Sequence, residues 1–209
     1  MSDKKILLFD FDGVIVDSLK DWHEVVNEIE PEPIDLETFR SWHNGNVHEL
    51  DKKPEEMEGY TVSASDLYAQ KFHPRLMGLS PIEQVHAIIP VLAEQCSLSV
   101  VTSSTSSSVN AFLEKHNIRQ FFQHILGADV HYSKTRKIRD LLKECDAEST
   151  DALFVTDTLG DIREAEKAGV QSIAVTWGFQ EVSDLEKGKP FAIVNTAAEL
   201  KQKIAEFFV

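Results

Sequence analysis

The chain has 209 residues and carries 21 Lys and Arg against 35 Asp and Glu, a formal net charge of −14. With 42% hydrophobic and 27% charged residues it has an ordinary globular composition, long enough for one α/β domain of ~150 residues with a smaller insertion. The acidic balance argues against a nucleic-acid binder, because phosphate backbones select for Lys and Arg, but it leaves room for a small anion at one local positive site.

Only four apolar residues, Ile6-Leu7-Leu8-Phe9, follow the charged start of the chain before Asp10. That run is too short for a signal-peptide core, and no run approaches ~18 apolar residues. Two cysteines, Cys96 and Cys145, cannot form a disulfide framework. A soluble cytoplasmic protein with no membrane partner is expected.

Short runs apolar throughout fit strands buried on both faces. Ile6-Leu7-Leu8-Phe9 is the first, followed by Leu98-Ser99-Val100-Val101, Ala152-Leu153-Phe154-Val155 and Ser172-Ile173-Ala174-Val175. Weaker runs lie at His124-Ile125-Leu126-Gly127 and Phe191-Ala192-Ile193-Val194. Between them Val109, Phe112 and Leu113, then Ile138, Leu141, Leu142 and Cys145, then Ile162, Ala165 and Ala168 recur at helical spacing, and Gly169 stops the last of these helices. Strand and helix in alternation predict an α/β fold, a doubly wound parallel sheet with helices on both faces. Residues 18–80 break the alternation with no convincing strand. We read them as an inserted, mostly helical cap with hinges near Asp17-Ser18 and Gly78-Leu79, dividing a core made of 1–17 and 81–209. Trp22, Val25, Val26, Ile29, Phe39, Trp42, Leu67, Tyr68 and Phe72 offer it a small core of its own.

Ligands of an open parallel sheet bind outside the carboxyl ends of its strands. Asp10-Phe11-Asp12-Gly13 follows the first run, Thr102-Ser103 the second, Lys134 the strand near Leu126, and Asp157-Thr158-Leu159-Gly160-Asp161 the run ending at Val155. Carboxylates converging this way repel one another unless a cation sits among them, and hard oxygen ligands with room for water point to Mg²⁺.

These clusters carry a resemblance. Leu8-Phe9-Asp10-Phe11-Asp12-Gly13-Val14, Val100-Val101-Thr102-Ser103-Ser104 and Phe154-Val155-Thr156-Asp157-Thr158-Leu159-Gly160-Asp161 are similar, in order, to motifs of the haloacid dehalogenase superfamily, on its phosphoglycolate-phosphatase-like and β-phosphoglucomutase-like side. The resemblance implies that Asp10 is a nucleophile forming an aspartyl phosphate and Asp12 the general acid and then base. It gives Thr102 and the Ser103 amide the phosphoryl group, with Gly13 turning the chain and joining them in binding phosphate. Mg²⁺ would lie between Asp10, the Asp12 carbonyl and Asp157, with Asp161 as a further ligand, directly or through water. Two departures stand out: Thr156 replaces the family's usual Gly, and the usual Lys-Pro is missing, leaving Lys134 and Lys137 as candidates for the motif lysine. Helical geometry favours Lys134, about 30° from the centre of the apolar stripe of its helix against about 90° for Lys137, with Ser133 as N-cap.

The expected activity is Mg²⁺-dependent hydrolysis of a small-molecule phosphate monoester by a monomer or weak homodimer. The alternatives are a sugar-phosphate mutase of the same superfamily and a non-catalytic phosphate-binding protein. A dehalogenase would lack the acid at Asp12, and a phosphonatase would need a cap lysine such as Lys20 or Lys52. In the cap, His43 and Asn44, with Asn46, are candidate substrate contacts around Gly45, as are Lys20 and Arg75. The aromatics Trp22, Trp42 and Phe72 read as cap core rather than a stacking platform.

Overall fold

The computed structural model describes residues 5–50, 61–62 and 66–209. Lys52 lies outside the described residues. Six parallel strands form one sheet: β1 (Ile6–Phe9), β2 (Ser97–Val101), β3 (Phe122–Leu126), β4 (Ala152–Thr156), β5 (Gln171–Val175) and β6 (Ala192–Val194), in the order β3-β2-β1-β4-β5-β6. The strong apolar runs are the central strands, with every residue of β1 and β4 buried. The weak run near Ile193 is a three-residue edge strand, half-buried, beside β5.

Helices α4 (Glu83–Ala93), α5 (Ser106–Lys115), α6 (Lys134–Glu144), α7 (Leu159–Ala168), the short α8 (Val182–Leu185) and α9 (Ala197–Phe207) complete the core. Leu7, Phe9, Val100, Leu153 and Val155 face one layer with Val85, Ile89 and Phe112. Leu8, Val101 and Phe154 face the other with Ile138, Leu141 and Ala165. Alternate strand residues thus feed opposite faces of the sheet. Gly169 ends α7 in the left-handed conformation, φ 82°, as a Gly at that place does without a Cβ penalty.

The insertion contributes α1 (Leu19–Ile29), α2 (Leu36–Ser41), two short 3₁₀ turns, Trp42–Asn44 and Val47–Glu49, and α3 (Leu67–Leu76). Its apolar residues do not form a self-contained core. Val25, Phe72 and Leu76 join the main cluster, whereas Val26 and Phe39 pack on Phe179 from the loop after β5. Leu67 is 50% exposed. The described helices α1, α2 and α3 share their apolar faces with the sheet domain, because such short helices offer little interior in which to bury them.

Candidate active site

The strand ends deliver the side chains that the sequence singles out. Asp10 follows β1 and is buried; its Oδ1 accepts from the Phe11 amide at 2.7 Å and its Oδ2 lies 3.0 Å from Lys134 Nζ. Lys134 opens α6 beneath Ser133, whose hydroxyl accepts from the Arg136 amide. The mouth of that helix is fastened to α7 by Glu164, which accepts from the Ser133 hydroxyl at 2.9 Å and the Thr135 amide at 3.2 Å. Lys134 Nζ also donates to Asp161 Oδ2 at 2.6 Å, and Thr156 Oγ1 donates to the same oxygen at 2.8 Å. The hydroxyl of Thr156, which stands where the family usually has Gly, therefore fixes Asp161.

Asp12 sits on a tight turn where Gly13 takes φ +74°. A Cβ at Gly13 would strike the Asp157 carboxylate, and so would one at Gly178. The role found for Gly13 is thus to admit Asp157, and the cavity over the site does not include it among its lining residues. Asp12 Oδ1 accepts from Ser18 Oγ at 2.6 Å and Trp22 Nε1 at 3.1 Å, and its Oδ2 from Ser104 Oγ at 2.6 Å. Asp157 Oδ2 accepts from the Phe179 amide at 2.6 Å, whereas its Oδ1 is buried with no hydrogen-bond partner.

Thr102 is buried after β2; its Oγ1 accepts from the Ser104 amide at 3.0 Å, leaving the hydroxyl hydrogen to donate. Thr102 and Ser103 line the same cavity as Asp10, Asp12, Lys134, Asp157 and Asp161. The Thr102 carbonyl accepts from Lys137 Nζ at 2.6 Å. Lys137 is only 2% exposed, beside 3% for Lys134. The stripe geometry put Lys137 at the solvent edge; the structure corrects that. The first turn of α6 is enclosed by β2, β3 and α7, so its buried sector is wider than its apolar stripe, and the carbonyls at the strand ends supply the acceptors a buried ammonium needs.

Burial raises the Asp10, Asp12 and Asp157 carboxyls above their ordinary range, Asp157 to about 7; neighbouring carboxylates add to the rise at Asp10 and Asp157, whereas the hydrogen bonds from Ser104, Ser18 and Trp22 oppose it at Asp12. Burial alone would lower Lys134; Asp10 and Asp161 outweigh it and hold the ammonium firmly charged, and Lys134 in turn draws Asp161 down against its own burial. Burial and then Lys134 push Lys137 down to about 7.

The cap loop meets the core at Gly160, where a Cβ would run into the carbonyls of Gly45 and His43. Gln180 accepts from the Leu159 amide at 2.6 Å and donates to the Arg40 carbonyl and to Asn44 Oδ1, both at 3.1 Å. Arg163 donates to the Asn44 carbonyl at 2.7 Å, and Asn46 to the Tyr132 carbonyl at 3.2 Å. His43 lines the cavity, and burial pushes its imidazole down to about 4, so it is neutral near pH 7. With Nδ1 against the Phe39 carbonyl at 3.1 Å, its Nε2 is left as an acceptor. Asn44 instead turns to Gln180 and is not among the lining residues. Lys20 and Arg75 pair with glutamates of α1 on the outer face of the cap.

The sequence reading left Ser18 and Ser104 without a site role and placed Trp22 in the cap core; in the structure all three donate to Asp12, and the carbonyl-bound place of Lys137 is equally unannounced. Their partners lie on other elements, and the only local hints are a Ser and a Trp at the start of α1.

Comparison with known proteins bears on this geometry. Residues 7–175 match the family model described as haloacid dehalogenase-like hydrolase. A phosphoglycolate phosphatase of Synechococcus elongatus is 24% identical over 96% of this chain and 97% of its own, and a probable phosphatase, IndB, of Dickeya dadantii is 25% identical over 94% and 92%. The crystal structure of a predicted phosphatase from Clostridium acetobutylicum superposes with a TM-score of 0.79 at 25% identity, covering 98% of this chain and all of that one. The ordered motifs, the sheet and these matches agree: the chain belongs to the haloacid dehalogenase-like hydrolase family, on its phosphoglycolate-phosphatase-like side.

Proposed function

We propose that the protein is a Mg²⁺-dependent phosphatase that hydrolyses a small-molecule phosphate monoester through an aspartyl phosphate at Asp10. Residues 18–80 would act as its cap over the core of 1–17 and 81–209. The observation that carries this reading is the pairing of buried Asp10 with Lys134 at 3.0 Å, facing a cavity it shares with Thr102, Ser103 and Asp12.

The residues also fit a divalent cation. Asp10 and Asp161 pair with the Lys134 ammonium, Asp12 and Asp157 line the same cavity, and Asp157 Oδ1 is buried without a partner. A buried carboxylate oxygen of this kind is costly unless a cation takes it up. Among the described residues no three His, Cys, Asp or Glu side chains form a ready metal cluster, so the set offered is two carboxylates, Asp10 and Asp157, and the Asp12 carbonyl. Such a set leaves several positions to water, as Mg²⁺ prefers. Bound there, Mg²⁺ would offset phosphoryl charge facing the attacking carboxylate.

In the first step Asp10 forms an O–P bond while the ester P–O bond breaks. The electron pair stays with the leaving oxygen, which takes a proton from Asp12. Ser18, Trp22 and Ser104 aim that carboxyl, and its raised pKa keeps a proton within reach. In the second step Asp12 removes a proton from water as the water oxygen attacks phosphorus, and the bond to Asp10 breaks, releasing inorganic phosphate. Lys134 and Thr102 donate to the charge that builds on the phosphoryl oxygens.

Phosphate release from p-nitrophenyl phosphate, with Mg²⁺ or excess chelator, tests the reading. Wild type with Mg²⁺ should turn over, and chelator or Asp10→Asn should abolish release. Release untouched by chelator and by Asp10→Asn would refute it.

A further inference from the structure

The space above Asp10 measures about 670 Å³. That is within the range of sites for drug-sized ligands and far more than a two-carbon acid such as glycolate fills. Its cap side is lined by two aromatic banks. Trp22 of α1 stacks on Phe72 of α3 with ring centres 3.9 Å apart, and Phe39 and Trp42 meet edge to face at 5.7 Å beside Phe179.

The charges on that side are equally informative. The four cations of the described cap all point elsewhere: Arg40 pairs with Glu181 at 2.5 Å, Lys71 with Glu28 at 3.0 Å, Arg75 with Glu24 at 2.5 Å and with Glu28, and Lys20 with Glu24 at 3.7 Å. Among the described residues lining the cavity, Lys134 is the sole Lys or Arg, and Asp10 and Asp161 already engage it. Among the described residues, the ionisable acids lining the cap side are Glu30 and Asp66, and each has work in the fold: Glu30 accepts from the Tyr68 hydroxyl and Asp66 caps α3 through the Tyr68 amide. Among the described residues, a substrate carboxylate lodged there would be desolvated beside two acids with no free counter-charge, which is unfavourable before any contact is made. A flat apolar ring would instead bury its faces against the half-buried indoles of Trp22 and Trp42, backed by the buried rings of Phe72 and Phe39.

Resting on the phosphatase reading above, we infer that the preferred substrate is a phosphate monoester whose alcohol carries an uncharged aromatic ring system, of the size of a nucleoside or flavin, and not the carboxylate-bearing alcohol of phosphoglycolate. The substrate of this chain thus parts from the one that the relatives' names announce.

The test is a comparison of kcat/KM, with Mg²⁺, for uridine and adenosine 5′-monophosphates and flavin mononucleotide against 2-phosphoglycolate, 3-phosphoglycerate and phosphocholine. At least one ring-bearing substrate should exceed all three of the others by tenfold or more. Trp42→Ala should reduce its advantage over β-glycerol phosphate by about tenfold, chiefly through KM, and Trp42→Phe should restore most of it. An equal or higher kcat/KM for 2-phosphoglycolate, 3-phosphoglycerate or phosphocholine overturns the inference and leaves the phosphatase reading standing. No release from any substrate, p-nitrophenyl phosphate included, removes both.

Discussion

Asp12 takes hydrogen bonds from Ser18, Trp22 and Ser104, while Asp10 faces Lys134; the two acids therefore have separable duties. Asp12→Asn should still form the phosphoenzyme from p-nitrophenyl phosphate, whose leaving group needs little protonation, but should hydrolyse it ~10²–10⁴-fold more slowly. Rapid-quench kinetics would show a burst followed by a slow phase; a steady state with no burst would contradict this. The lysines differ in kind as well. Lys134→Met removes the charge beside the reacting oxygen and should cost ~10²–10³ in kcat. Lys137→Met leaves the Thr102 carbonyl unpaired, a penalty of about 1–3 kcal/mol, so it should lower thermal stability and loosen phosphate binding while retaining more of kcat. Equal kcat losses in the two variants would show that the division is wrong. Lys134 was legible in the sequence because it begins a helix behind a Ser and near the apolar stripe. Lys137 was not, because its burial is explained by the Thr102 and Gly127 carbonyls in the loops after β2 and β3, which adjoin it through folding and not through sequence.

The elements that place these residues read clearly wherever both faces of a strand are buried. The runs at β1, β2, β4 and β5 and the polar groups that follow them were visible directly. The three-residue β6 gave only a faint signal, as expected for a half-buried edge. The cap was legible as a helical interruption, but its packing on Phe179 was not, since that contact joins residues 140 positions apart. The seam between cap and core makes its own prediction. Gly160 on α7 lies under the carbonyls of His43 and Gly45, so Gly160→Val must lift the 43–45 turn. Displacement of about 1 Å in such a wall should cost ten- to a hundredfold in kcat/KM. Far-UV circular dichroism should be unchanged. A Gly160→Val enzyme with wild-type kinetics would mean that the cap loop does not shape the site.

For the molecule as a whole, the acidic site is a store of electrostatic repulsion, which a bound divalent cation would relieve further than Lys134 alone. A ligand that binds only the folded state raises its stability by mass action. Millimolar Mg²⁺ should thus raise Tm in wild type. Asp157→Asn should raise Tm in chelator, by roughly 2–4 °C for each kcal/mol of repulsion removed, and should largely abolish the Mg²⁺-dependent increment. An undiminished increment in Asp157→Asn would place the cation elsewhere. None of the described helices is long and apolar enough to cross a membrane.

The claim on which everything else depends is that Asp10 becomes covalently phosphorylated. The direct measurement is mass spectrometry of the peptide containing Asp10 after acid quench of Asp12→Asn during turnover of p-nitrophenyl phosphate with Mg²⁺. The account predicts a phosphoryl adduct on that peptide, absent in chelator and absent when Asp10 is also changed to Asn. Catalytic turnover with no adduct there, or with the adduct on another residue, would contradict it.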